Sequence, residues 1–135
     1  MGAQFHHLWC YAIAVAAAIT GFGSLLVFGL FLWTGGFELV DPKMRWGAAL
    51  AWDGGLCLAF FLQHSGMVRR SFRARLGRLV PAHWHGMVYT IASAAALLLA
   101  TLGWQPTHIQ LGAVEGAAGW AIRAVFLASL SLFVW

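Results

Sequence analysis

Long apolar runs separated by short polar stretches set the pattern of this chain. Four runs stand out, at about residues 8–33, 46–64, 84–103 and 117–135. Each approaches or exceeds the roughly 20 residues that a helix needs to cross a hydrocarbon core. Tryptophans punctuate their ends, at Trp33, Trp46, Trp84, Trp104 and Trp135, where an amphipathic ring suits a membrane–water interface. The first run is too long for the apolar region of a signal peptide and no Lys or Arg precedes it, so it reads as a retained span. Within it Gly21, Gly23 and Gly29 are positions that permit close helix approach. The pattern predicts an all-α fold: one domain over residues 1–135, a polytopic membrane bundle of about four transmembrane helices.

The breaks between runs carry turn chemistry. Gly35 and Gly36 end the first run, and Asp41-Pro42 favours a turn after it. Pro81 separates an arginine-rich segment from the third run, and Pro106 closes that run.

Composition sharpens the picture. The chain is 61% hydrophobic and only 9% charged, against about 25% charged in an ordinary soluble domain. Such a chain cannot cover a globular surface with polar groups, so the lipid bilayer is the partner expected for its exterior. The net charge of +4 does not make nucleic acid a partner, because the basic residues crowd beside an apolar run. Arg69, Arg70, Arg73, Arg75 and Arg78 all follow the second run, and no acidic residue lies among them. The loop after the first run mixes Lys43 and Arg45 with Glu38 and Asp41, and that after the third has His108 and Glu115 without Lys or Arg. The positive-inside rule then places the 66–83 loop and both termini in the cytoplasm, and the expected location is a bacterial inner membrane.

Ionisable residues inside a span require a reason. Asp53 and Arg123 lie at similar depths in the second and fourth runs, which the topology starts from the same side. They are expected to form an intramembrane ion pair. Asp53, Cys57, Phe60 and His64 follow helical spacing and define a polar face on the second run. His83-Trp84-His85 places alternate histidines that point apart on a helix, without the three or four ligands that zinc needs, so no metal site is expected. His6 and His7 read as a solvated end. Cys10 and Cys57 sit in apolar runs, form no CxxC and read as small hydrophobes. No nucleophile elbow, phosphate-binding loop or dinucleotide fingerprint is present, and Ser65 has no Asp-His partner in a recognisable arrangement.

The order Asp53, Gln63-His64-Ser65, Met67-x-Arg69, the basic segment, Pro81, Tyr89, Trp104 and Pro106 resembles the amino-terminal part of a family of integral membrane methyltransferases. Residues from about 46 to 106 are most similar to the methanethiol S-methyltransferase and NnrU-like group, distant relatives of the isoprenylcysteine carboxyl methyltransferases. The resemblance implies a helical bundle, S-adenosylmethionine as cofactor and a small thiol as substrate. It implies that Gln63, His64 and Ser65 position that substrate. The family's cofactor-binding features (a histidine-rich stretch, an Arg-His-Pro segment and a late acidic pair) do not occur in this sequence. Its Glu-Arg-Ser step before the tyrosine is replaced by His85-Gly86-Met87. The resemblance therefore implies an enzyme only if a second polypeptide or a homo-oligomer completes the cofactor half. The competing expectation is a non-catalytic helical membrane subunit or NnrU-like protein.

Overall fold

The structure is a computed structural model that describes residues 2–37, 39, 43–107 and 114–134, the side chains of 2–7, 130 and 132–134 excepted. Glu38, Asp41, Pro42, His108 and Trp135 lie outside the described residues, as do the side chains of His6 and His7. Every element is helical: α1 (Gly2–Thr34), α2 (Trp46–Val68), α3 (Arg70–Leu76), a 3-10 turn (Ala82–Trp84), α4 (His85–Leu102) and α5 (Gly116–Val134).

Glycine and proline set the boundaries. Gly35, with φ of 84°, takes the left-handed conformation after α1, and its N–H donates to Phe31 O at 2.8 Å, a common way for a helix to stop. α2 runs past Gly66 and breaks at Arg69, whose extended backbone (φ −64°, ψ 141°) separates it from α3. The arginine segment, expected as a loop, is thus partly helical. Its short helix follows from residues such as Ser71, Phe72 and Ala74, none of which breaks a helix. Pro81 opens the 3-10 turn that leads into α4, and Gly103 caps α4 with its N–H on Leu99 O at 2.9 Å.

Helix α4 is the centre of the bundle, packed on α1 and on α2. Side-chain contacts give the directions. Gly21 faces Thr90 and Phe31 meets Trp104, so α1 and α4 run parallel. Gln63 meets Ser93 and Trp52 meets Gly103, so α2 runs antiparallel to both. At Gly21 the approach is close: a Cβ there would stand 2.7 Å from Thr90 Cγ2. Gly29 is buried too, whereas a Cβ on Gly23 would meet open space. Helix α5 touches α1 at Trp33, through Phe126 and Arg123.

Polarity is distributed inside-out. Ser24, Asp53, Thr101 and Gln105 are buried, while Ile19, Leu62, Leu99 and Val125 are each more than half exposed. Hydroxyls on the helices donate to their own backbone, as Thr20 does to Ala16 O, Ser129 to Val125 O and Ser131 to Leu127 O. An apolar exterior with internally satisfied polar groups is what a hydrocarbon solvent demands.

Four spans were expected; among the described residues, two helices are long and apolar enough to cross a membrane, Leu8–Thr34 and Ala82–Leu102. Asp53, Gln63, His64 and Ser65 dilute the apolarity of α2, and the apolar part of α5, Gly116–Ser129, is shorter.

Candidate functional site

Because α1 and α2 both pack on α4, a cleft of about 370 Å³ remains where the three helices meet. Gly21, Phe22 and Ser24 line it from α1, Phe60 and His64 from α2, and Tyr89, Thr90, Ser93 and Leu97 from α4. The spacing of Phe60 and His64, one turn apart, carries both onto the α4 side of α2.

His64 is the chemical centre of the cleft. Its ring stacks on Phe60 at 5.3 Å and 29°. The hydroxyl of Tyr89 lies 3.0 Å from His64 Nε2 and 3.2 Å from Nδ1. A neutral imidazole has one donor and one acceptor nitrogen, so the hydroxyl can donate to one tautomer and accept from the other. Gln63, one residue back, donates from Nε2 to Met67 Sδ at 2.9 Å and to Ser93 Oγ at 3.4 Å. Its Oε1 is buried without a partner among the described residues. A buried acceptor left unpaired is costly, so this carbonyl favours any donor placed near it.

The three residues expected to act together therefore separate. His64 lines the cleft, and Gln63 reaches its wall through Ser93. Ser65 is half-buried but does not line the cleft, because one residue turns the side chain by about 100° around a helix. Tyr89 enters the sequence pattern only through the family order, and Thr90 and Ser93 do not enter it at all. The signal was present: these three are the polar positions in an otherwise apolar stretch, and Tyr89 and Ser93 stand one turn apart.

Asp53 and Arg123, expected to pair, make other contacts. Asp53 Oδ1 accepts the backbone N–H of Gln105 at 2.9 Å, and its buried Oδ2 has no hydrogen-bond partner among the described residues. Arg123 instead lies over two indoles, 5.4 Å from the Trp33 ring centroid and 5.3 Å from that of Trp120. Equal depth does not make two residues neighbours: α2 faces α4, and α5 meets α1. Trp52 Nε1 and Gln105 Nε2 both donate to Gly103 O at 2.9 Å, so the Asp53 end of α2 is tied to the end of α4. Cys57 is exposed, on the rim of a smaller cavity of about 160 Å³ shared with Phe31 and Trp104. His85 donates from Nε2 to Val80 O at 2.9 Å, and His83 lies against Trp84. The five arginines from Arg69 to Arg78 are exposed.

Fold and site together define an all-helical protein of membrane type, with a histidine–tyrosine pair in an apolar cleft. The chain is a distant relative of the methanethiol S-methyltransferases. It is 35% identical over 81 residues to the enzyme of that name from Pseudomonas deceptionensis, which is 60% of this chain and 31% of the relative. With the one from Pseudomonas sp. strain GM41(2012) it shares 33% over 78 residues, 58% of this chain and 30% of the relative. With the one from Crocosphaera subtropica it shares 37% over 71 residues, 53% and 28%. These matches span under a third of the relatives' length. Wherever it begins, an 81-residue stretch of a 135-residue chain contains Gln63, His64 and the arginine segment. No protein-family model and no solved structure matches the chain.

S-adenosylmethionine, implied by the family resemblance, carries a carboxylate, an ammonium and a sulfonium. The described residues lining the cleft offer hydroxyls and one imidazole, and no carboxylate or guanidinium. The cleft suits a small, largely apolar molecule. It does not fit the charged cofactor.

Proposed function

We propose that this chain is the thiol-handling part of a membrane S-methyltransferase acting on a small thiol. The carrying observation is the His64–Tyr89 pair at the wall of an apolar cleft. The relationship to methanethiol S-methyltransferases supports the choice of a thiol. In this reading the thiol occupies the cleft with its S–H toward His64. The unprotonated ring nitrogen accepts the thiol proton, and the sulfur becomes a thiolate in surroundings that exclude water. Tyr89 holds the imidazole in place and stays hydrogen-bonded after it gains the proton. Gln63 steadies the α4 side of the cleft through Ser93. Ser65 has no direct part.

The chain crosses a bacterial inner membrane four times, with both termini and the 66–83 segment on the cytoplasmic side. The arginine segment supports that sidedness. In this reading the S-adenosylmethionine site belongs to sequence that the relatives carry beyond the matched third.

The test is methyl transfer in membranes. The full chain is co-expressed with the carboxyl-terminal part of the Pseudomonas deceptionensis relative, and conversion of methanethiol to dimethyl sulfide is measured. Activity that needs both parts and falls with His64→Gln supports the reading. Assembly of both parts, with cofactor bound and no methylation, overturns it in favour of a non-catalytic subunit.

A further inference from the structure

A second cavity, of about 320 Å³, lies at the end of the bundle where α2, α3 and the start of α4 converge. Its walls differ sharply in chemistry. Met67, Phe72 and Leu76 make it apolar on one side, while Arg73 and His85 bring nitrogen to it. Tyr89 lines both this cavity and the thiol cleft, so the two meet at that ring.

Charge decides what such a basin attracts. Between Asp53 and Glu115 the chain contains no acidic residue, yet five arginines fall in that interval. Arg73 sits among them without a nearby carboxylate in sequence, and Arg69, Arg70, Arg75 and Arg78 surround it. Helix α3 is short and has Phe72 and Leu76 one turn apart. Both line the basin, and of the three arginines on α3 Arg73 lines it as well. Val80 O accepts from His85 Nε2, which holds the 77–81 turn against α4 and gives the basin a fixed wall. A nucleic-acid backbone would match the arginines but leave the Met67–Phe72–Leu76 wall unused. An anion attached to a hydrocarbon stem uses both.

We propose that this basin is a binding site for a phosphate monoanion or diester, with Arg73 as its cationic anchor and Met67, Phe72 and Leu76 receiving the adjoining methylenes. The phosphate group comes from an anionic phospholipid headgroup or from free phosphate, and Arg73 recognises the same oxygens in either. Arginine suits this task through its planar fork of donors, and basic pockets between membrane helices are established headgroup sites. The site does not depend on the methyltransferase reading, since Arg73, Met67, Phe72 and Leu76 all lie outside the thiol cleft, which the basin meets only at Tyr89.

The experiment uses the full chain purified in a neutral detergent, titrated separately with short-chain phosphatidylglycerol, phosphatidylcholine of equal chain length, and inorganic phosphate. Saturable binding of phosphatidylglycerol is expected, with phosphatidylcholine much weaker. Arg73→Gln is expected to lower the affinity at least about tenfold, the lower end for a charge-assisted hydrogen bond. Arg73→Lys retains part of it. Arg78→Gln, outside the cavity, changes it less than about threefold, as for an exposed charge. Helical content and melting temperature of each variant confirm that it folds. Competition by inorganic phosphate at equal strength identifies the free anion as occupant, and its failure to compete identifies the lipid. Absence of saturable binding, equal binding of phosphatidylcholine, or equal losses in Arg73→Gln and Arg78→Gln overturns the proposal.

Discussion

The hydroxyl of Tyr89 and the imidazole of His64 stand 3.0 Å apart, although 25 positions separate them in the chain. The pair joins α2 to α4 at the wall of the cleft, and it gives the histidine a partner in either protonation state. Tyr89→Phe keeps the ring and removes the hydrogen bond. It is expected to lower unfolding stability by about 0.5–1.5 kcal/mol. In the complemented methylation assay it should lower kcat about tenfold with little change in KM, whereas His64→Gln should cost about 100-fold or more. Unchanged turnover in Tyr89→Phe alongside a lower melting temperature would assign the tyrosine a structural role alone.

How much of this was legible beforehand depends on whether a feature is local. The end of α1 follows from Gly35 and the start of the 3-10 turn from Pro81, so backbone chemistry announces them, whereas α4 stops at Leu102 with Gly103 as its cap, ahead of the Pro106 expected to close it. The polar face of α2 was readable from the spacing of Asp53, Phe60 and His64. What that face meets was not. Tyr89, Thr90 and Ser93 become part of the site only because α2 runs antiparallel to α4 in one register. A sequence carries depth along each helix but not which helices are side by side. The Asp53–Arg123 pairing rested on depth alone, and the structure gives each residue a different partner. Likewise, helix α3 was hidden behind its arginines, which set charge without preventing a turn of helix.

The closest approach of α1 to α4 is testable with one methyl group. A Cβ on Gly21 would stand 2.7 Å from Thr90 Cγ2, while a Cβ on Gly23 meets nothing within 4 Å. Gly21→Ala is expected to cost about 1–3 kcal/mol through overpacking. Gly23→Ala should be neutral or gain up to about 1 kcal/mol from helix propensity. Adding Thr90→Ser to Gly21→Ala removes the clashing methyl and should recover most of the loss. Thermal unfolding of these three variants and of Thr90→Ser alone, in one detergent, checks this, and an absence of coupling would show that the helices separate at this point.

Asp53 acts as a clamp on the end of α4. Its Oδ1 receives the Gln105 N–H at 2.9 Å, and both groups are buried. Asp53→Ala leaves that N–H unpaired and is expected to cost about 1–3 kcal/mol. Asp53→Asn retains an acceptor oxygen and should cost less. Gln105→Ala keeps the backbone donor and loses only the side-chain bond to Gly103 O, so about 0.5–1.5 kcal/mol is expected. The ranking Ala above Asn at position 53 is the informative result, since a charge requirement would make the two equal.

Arg123 provides the separate test of how α5 is attached. Its guanidinium lies between the Trp33 and Trp120 rings, and Phe126 adds a second contact to Trp33 at 6.4 Å. Cation–π contacts of this kind contribute about 0.5–2 kcal/mol. Arg123→Gln and Trp33→Leu should therefore couple in a double-mutant cycle by an amount in that range. Arg123→Gln and Asp53→Asn share no partner, so their effects should add within about 0.3–0.5 kcal/mol. A charge-swapped double variant, Asp53→Arg with Arg123→Asp, should be no more stable than the sum of its single changes predicts. Rescue in that variant would restore the ion pair expected from depth, and would mean that α5 packs against α2 and not at Trp33.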